Sequence, residues 1–145
     1  MSRSQEARQF RDVFGQEMMT NISHYGFVKQ KLWDMQCDLI EEEAAEFLQA
    51  ADEVFADPEN NRRRENLLKE LCDLVFVCYQ FAATYNLDLD EALRRVFESN
   101  MSKLDESGKP IYREDGKVLK GPNYVPPDLS HLYPNSNTLY DTNGK

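Results

Sequence analysis

The sequence predicts an all-α fold, a four-helix bundle followed by an irregular C-terminal extension. Helix-breaking residues divide the chain near residue 103, with two glycines and one proline before this point and four glycines and five prolines after it. The first part shows no sustained period-two alternation, which argues against strands. Helices joined by short loops pack as a bundle. We therefore expect a helical region at 1–103 and an irregular extension at 104–145 within one domain.

The first two helices are predicted from the periodicity of their apolar residues. The first covers about residues 4–19, and a break follows at 21–26. The second is long and covers about residues 28–56.

The third and fourth helices are bounded by local signals. Asp57 followed by Pro58 predicts an N-cap and a first helical residue, and Asn86 predicts a left-handed C-terminal stop. Asp88, with a glutamate three residues later, resembles a capping box and begins a fourth helix that runs to about Lys103.

Composition limits the partners that this chain can have. The formal net charge of −9 disfavours binding to a nucleic-acid polymer. No apolar run is long enough to cross a bilayer, and the N-terminus lacks the apolar stretch of a signal peptide, so we expect a cytoplasmic protein without a membrane partner. The odd number of cysteines, three, predicts reduced thiols, and their spacing does not suit zinc.

Two glutamates of the second helix occupy unexpected positions. Each residue of a helix turns by about 100°, which places Glu43 in the middle of an apolar arc and Glu46 at its edge. The arc consists of Leu39, Ile40, Phe47, Ala50 and Val54. A carboxylate in a core is costly unless it is paired, protonated or bound to a metal.

The third helix repeats this pattern with Glu70 and Asp73. Both border an apolar stripe that runs along the helix, so a second acidic pair three residues apart is expected to face inward. Neither helix offers an obvious lysine or arginine on the same face to neutralise these acids.

Two antiparallel helices of this kind would bring four carboxylates together, each raising the pKa of the others. A divalent cation resolves the conflict, and Mg²⁺ is the natural choice because it prefers oxygen ligands. The alternative is that the acids are solvated on surface helices. A di-iron site in a helical bundle needs Glu-x-x-His pairs on its helices. The two histidines, His24 and His131, lie in predicted loops, so the sequence argues against a di-iron site.

These motifs resemble a known family. Glu42-Glu43-Ala44-Ala45-Glu46 and Glu70-Leu71-Cys72-Asp73 are similar to the Glu-Glu-x-x-Glu and Glu-x-x-Asp motifs of MazG-like all-α nucleoside triphosphate pyrophosphohydrolases. Asn100-Met101-Ser102-Lys103 resembles the Asn-x-x-Lys motif of that family, and residues 108–129 resemble an extension found in a phage and bacterial subset.

The resemblance implies the all-α NTP pyrophosphatase fold and hydrolysis of (d)NTPs to (d)NMP and pyrophosphate, with Mg²⁺ as cofactor and Mn²⁺ as its substitute. It also implies a homodimer or a dimer-of-dimers tetramer, in the host cytoplasm if the protein is phage-encoded. The implied metal ligands are Glu43, Glu46, Glu70 and Asp73, and Glu42 would help to orient the attacking water. The catalytic residues are then expected to be Glu42, Glu43 and Glu46, because a carboxylate not saturated by metal can accept the water's proton.

Substrate contacts are expected from the fourth helix and the extension. Asn100 and Lys103 would contact the nucleotide, as the resemblance implies. Many relatives have an arginine where this chain has Ser107, and Lys109 or Arg113 is expected to replace it. The extension is either a flexible terminus or a lid over the nucleotide. As a lid it would supply the side chains of Lys109, Arg113, Lys117, Lys120 and Tyr124.

Three functions remain open at this stage. The first is (d)NTP pyrophosphohydrolysis, in nucleotide-pool control or in the removal of modified nucleotides. The second is phosphoribosyl-ATP pyrophosphohydrolysis, the activity of a relative with the same helical ancestry. The third is a non-catalytic helical module whose acidic cluster binds a cation or a basic partner.

Overall fold

The computed structural model describes residues 1–18 and 30–132, and within these ranges it contains four α-helices and no strand. The all-α class predicted from the sequence is confirmed. Among these helices, none is both long enough and apolar enough to cross a membrane. The helices are α1 (Arg3–Val13), α2 (Gln30–Ala56), α3 (Asn61–Thr84) and α4 (Leu89–Met101).

Helix α1 is shorter than predicted. It begins with a capping box between Ser2 and Gln5 and ends at Val13, not near residue 19. Gly15 follows with a φ of +62°, a left-handed conformation that stops the helix and that glycine adopts without strain. The predicted break at 21–26 and the predicted start of the second helix at 28 lie outside the described residues.

Helix α3 begins three residues later than the sequence predicts. Asn60 is the N-cap, and its side-chain oxygen accepts a hydrogen bond from the backbone N–H of Arg63 at 3.2 Å. Asp57 instead accepts a hydrogen bond from the Asn60 side chain at 3.1 Å, so it supports the cap and does not form it. The predicted stop of α3 is confirmed, because Asn86 has a φ of +54°.

Asp88 caps α4 as predicted, but only half of the capping box forms. The Asp88 carboxylate accepts from the Glu91 N–H at 3.2 Å, while the Asp88 N–H donates to the Leu132 carbonyl at 2.8 Å. Glu91 binds two arginines instead. Hydrogen bonds from Arg94 and Arg95 lower the pKa of Glu91 to about 2.

The described residues up to 87 form one compact unit in which α3 packs against α1 and α2. Helices α2 and α3 are antiparallel. Arg63 near the start of α3 donates to the Glu53 carbonyl near the end of α2, whereas Thr84 at the end of α3 bonds to Gln36 near the start of α2. This arrangement brings the acidic motifs of the two helices opposite one another.

The core of this unit is small and partly polar. The ring centroid of Trp33 lies 5.2 Å from those of both Phe81 and Tyr85, so these aromatic side chains pack together. Arg11 of α1 is 1% exposed. Its guanidinium donates to the Glu17 carbonyl at 2.6 Å and reaches the side-chain oxygens of Gln36 and Gln80 at 3.5 and 3.4 Å.

Residues 88–132 form a second compact unit, in which the extension runs back along α4. The Gly121 N–H donates to the Lys103 carbonyl, and the Ser99 hydroxyl donates to the Val125 carbonyl at 2.7 Å. Arg95 then bonds to the Asp128 carbonyl at 2.7 Å, nearer the start of the helix. These contacts group α4 with the extension, whereas the composition of the sequence changes only at residue 103.

Candidate active site

Three of the four predicted metal ligands come together between α2 and α3. Glu43, Glu46 and Glu70 each place a carboxylate oxygen within 4.8 Å of the other two. Glu70 is buried, Glu43 is half-buried and Glu46 is exposed, so the cluster opens toward solvent on the Glu46 side. Glu43 lies on the less exposed face of α2, where the helical periodicity predicted it to be.

Burial and the neighbouring carboxylates disfavour the ionised form of Glu43. Burial raises the pKa of its carboxyl group, and the charges of Glu46, Asp73 and Glu70 raise it further. One oxygen, Oε2, is buried, and within the described part of the chain it has no hydrogen-bond partner. A buried carboxylate oxygen without a partner is costly. The donor set is therefore suited to a hard divalent cation such as Mg²⁺.

Asp73 lies one turn beyond Glu70, close enough for its charge to act on Glu43. The expectation that no basic side chain neutralises these acids is wrong. The Lys69 ammonium lies 2.8 Å from Asp73 Oδ2 and 3.1 Å from Glu70 Oε1. Helical periodicity does not reveal this lysine, because Lys69 is adjacent to Glu70 in sequence and only its long side chain reaches around the helix to the acids.

A polar groove of about 240 Å³ leads away from the cluster between α2 and α3. Glu46 and Glu70 line it on the side of the cluster, and two amides, an alanine and a further glutamate line the rest. Such a groove can admit a polar ligand beside the carboxylates. Its lining residues are Glu46, Gln49, Ala50, Glu53, Asn66 and Glu70.

The two acidic motifs of α2 and α3 fall inside the match to one family. The family model of phosphoribosyl-ATP pyrophosphohydrolase matches residues 7–100, which is more than half of the chain. The chain belongs to the phosphoribosyl-ATP pyrophosphohydrolase family. That family consists of hydrolases that act on a phosphoric anhydride, in the same all-α NTP pyrophosphatase superfamily as MazG. A search of curated proteins found no significant match.

Membership in the phosphoribosyl-ATP pyrophosphohydrolase family supports pyrophosphohydrolase activity in general. The matched range includes the four acids of α2 and α3, and it ends at Asn100. The extension that runs along α4 therefore lies outside the family match. The specific resemblance to MazG stays a prediction.

Glu42 is not brought to the cluster. It is exposed and lines a separate groove of about 450 Å³ along α2, together with Lys31, Asp34, Met35, Asp38 and Leu39. Its predicted contact with the attacking water therefore has no support from the arrangement within this unit.

The predicted substrate residues all belong to the second unit. Asn100 is exposed near the end of α4, and Lys103 is half-buried just after it. Arg113 pairs with Asp115, and the Lys120 ammonium lies 4.5 Å from the centre of the Tyr124 ring. Lys109 and Lys117 are exposed in turns stabilised by the carboxylates of Asp105 and Asp115.

Proposed function

We propose that this protein is a Mg²⁺-dependent pyrophosphohydrolase that converts (d)NTPs to (d)NMP and pyrophosphate, in nucleotide-pool control or in the removal of modified nucleotides. The observation that carries the proposal is the convergence of Glu43, Glu46 and Glu70 within 4.8 Å around a buried oxygen that lacks a partner. Membership in a pyrophosphohydrolase family supports the same class of reaction.

The cation would be held by Glu43, Glu46 and Glu70, with Asp73 beside them. All four donors are carboxylates, which suits Mg²⁺ and also Mn²⁺ as its substitute. When bound, Mg²⁺ supplies charge neutralisation for phosphate oxygens and a lower pKa for water.

The protein's own residues would accept the proton of the attacking water and bind the phosphate oxygens. Water attacks the α-phosphorus, its proton passes to a carboxylate, and the bond to the bridging oxygen of pyrophosphate breaks. Glu46 is the member of the cluster most exposed to solvent, so its carboxylate is suited to accept this proton. Lys103 and the cations of the extension, at positions 109, 113, 117 and 120, would hold phosphate oxygens.

Phosphoribosyl-ATP is the second candidate substrate, and the family match favours it. The bond is of the same kind, because this substrate also carries a triphosphate that can be cut to release pyrophosphate. The (d)NTP proposal is supported by the extension, which continues beyond the family match and places further cations in the second unit.

An assay of the full chain with all canonical NTPs and dNTPs and with phosphoribosyl-ATP tests both candidates. The products are separated so that pyrophosphate is distinguished from single phosphate. Pyrophosphate release from several (d)NTPs supports the proposal, and release only from phosphoribosyl-ATP supports the second candidate. Metal binding without turnover of any substrate would indicate the non-catalytic module.

We also propose that the protein assembles as a homodimer or as a dimer of dimers. Apolar side chains of α3 support this, because Leu71, Val75 and Phe76 are exposed along a groove of about 500 Å³ between α1 and α3. Light scattering coupled to size-exclusion chromatography tests the proposal, and a monomer at micromolar concentration would refute it.

A further inference from the structure

Lys69 is an internal counter-ion of the acidic cluster. Its Nζ lies 3.1 Å from both carboxylate oxygens of Glu70 and 2.8 Å from Asp73 Oδ2. Two of the four acids proposed to bind metal are thus held by a single ammonium group that belongs to the protein itself.

The helix alone does not explain this arrangement. In pairs four residues apart, an acid that precedes a lysine is favoured, and here Lys69 precedes Asp73. The Glu70 side chain is only 9% exposed, so water cannot fully hydrate its charge. Glu43 and Glu46 lie beside Glu70 and add negative charge, which attracts the ammonium to this position.

The lysine side chain can leave without disturbing the packing of the helices. It is 61% exposed, and its four-carbon chain is flexible. Glu70, by contrast, is buried between α2 and α3 and cannot follow. A divalent cation and the Lys69 ammonium would therefore compete for the same carboxylate oxygens.

We propose that Lys69 is a displaceable counter-ion that keeps Glu70 and Asp73 assembled in the metal-free protein and releases them when Mg²⁺ binds. This inference rests on the proposed function, because it requires these acids to be metal ligands. Lys69 is a positioning residue in this account. It stabilises the metal-free site and weakens the apparent affinity for the cation.

Titration calorimetry of the metal-free full chain with Mg²⁺, and separately with Mn²⁺, tests the inference. Lys69→Met should bind both ions about two- to fivefold more tightly than the wild type, the range that an ion pair of this exposure supports. The melting temperature of metal-free Lys69→Met should fall, while that of the Mg²⁺-saturated variant should match the wild type. Lys69→Arg, which keeps the charge, should restore the wild-type stability without metal.

Arg64→Met is the matched control. It removes one positive charge from the same helix and breaks an exposed ion pair with Glu59, away from the cluster. If Lys69→Met and Arg64→Met bind Mg²⁺ with equal affinity, Lys69 acts only as an ordinary surface charge, and the inference is overturned. Weaker metal binding by Lys69→Met would also overturn it.

Three further outcomes are informative. If Lys69→Met is unfolded without metal but folds in Mg²⁺, the predicted role in the metal-free state is supported, and Lys69→Gln then provides the affinity measurement. If the wild type binds neither ion, the proposed function fails together with this inference. If the wild type binds them and Lys69→Met binds them equally well, only the inference fails.

Discussion

Glu43 of α2 and Glu70 of α3 face each other with a carboxylate oxygen of one within 4.8 Å of a carboxylate oxygen of the other. Antiparallel packing of the two helices produces this contact, because it sets the middle of α2 against the middle of α3. Two ionised carboxylates at this distance repel each other and destabilise the folded state unless a positive charge compensates for them. We propose that a divalent cation offsets this repulsion together with Lys69.

Neutralising the acids should remove activity and leave the fold intact. Glu43→Gln and Asp73→Asn should each lower kcat by at least about a hundredfold, because they remove donors to the cation that stabilises the transition state. Pyrophosphate release in excess Mg²⁺ measures the loss, and circular dichroism at 222 nm should show nearly unchanged helix content. Glu41→Gln, on the exposed side of α2, is the control and should retain activity.

The stability of the metal-free protein should depend on the charge of Glu43. The pKa of this group in the folded state is raised above its usual value of 4.5, so the folded protein binds the proton more tightly than the unfolded chain. The free energy of unfolding should therefore fall as the pH rises from about 4.5 through the raised pKa. Glu43→Gln removes this contribution.

Thermal melts in EDTA between about pH 4 and 8 measure the effect. The melting temperature of Glu43→Gln minus that of the wild type should grow as the pH rises across this range. A difference that stays constant with pH would contradict the pKa shift. Glu41→Gln serves as the reference, because it removes one carboxylate from the same helix at an exposed position.

Loss of the buried guanidinium should destabilise the first unit. Arg11→Met removes the donors to the Glu17 carbonyl and to the side-chain oxygens of Gln36 and Gln80, two buried residues. We expect a loss of about 2–4 kcal/mol in the free energy of unfolding. Urea denaturation measures it.

Arg8→Met is the matched control in the same helix. Arg8 makes an exposed hydrogen bond to Asn86, so its loss should cost less than about 1 kcal/mol. Equal effects of the two substitutions would show that burial of Arg11 is not what stabilises α1 against its neighbours.

The extension should detach from α4 when Gly121 gains a side chain. A Cβ at this position would lie 2.4 Å from the Leu104 carbonyl oxygen and 2.7 Å from that of Lys103, so the backbone must move. Gly121→Ala should therefore increase cleavage between residues 105 and 124 in limited proteolysis. Gly116→Ala strains only its own turn and should leave cleavage near Gly121 unchanged.

Removing a phosphate-binding cation should weaken substrate binding without weakening metal binding. Lys103→Met should raise KM for the preferred triphosphate about tenfold, the loss of one hydrogen bond from a charged donor. Steady-state kinetics measures KM, and calorimetry should give an unchanged Kd for Mg²⁺. Lys31→Met, on the exposed surface of α2, is the control. An unchanged KM for Lys103→Met would remove Lys103 from the proposed site.

The class of fold and the position of the acids could be predicted from the sequence because both depend on helical periodicity. Glu43 stands out among apolar neighbours at any helix register, and Asn86 can take the left-handed conformation whatever surrounds it. The start of α3 was less predictable. Asp57 and Asn60 are both good caps, and only the turn between the helices decides which of them is used.

Lys69 and Arg11 could not be assigned from periodicity. Lys69 joins the cluster through a long side chain, and Arg11 meets Gln36 and Gln80 only after three helices have packed. The path of the extension along α4 could not be predicted from the sequence either. It depends on single contacts, such as the hydrogen bond from Ser99 to the Val125 carbonyl, and no repeating sequence pattern predicts such contacts.

We propose that Glu43, Glu46 and Glu70 share one divalent cation. Anomalous diffraction from a crystal of the full chain grown with Mn²⁺ tests it most directly. We expect a strong anomalous peak within bonding distance of all three carboxylates, at about 2.0–2.3 Å from the nearest oxygens. No peak between α2 and α3 at millimolar Mn²⁺, with the three side chains turned apart into solvent, would contradict it.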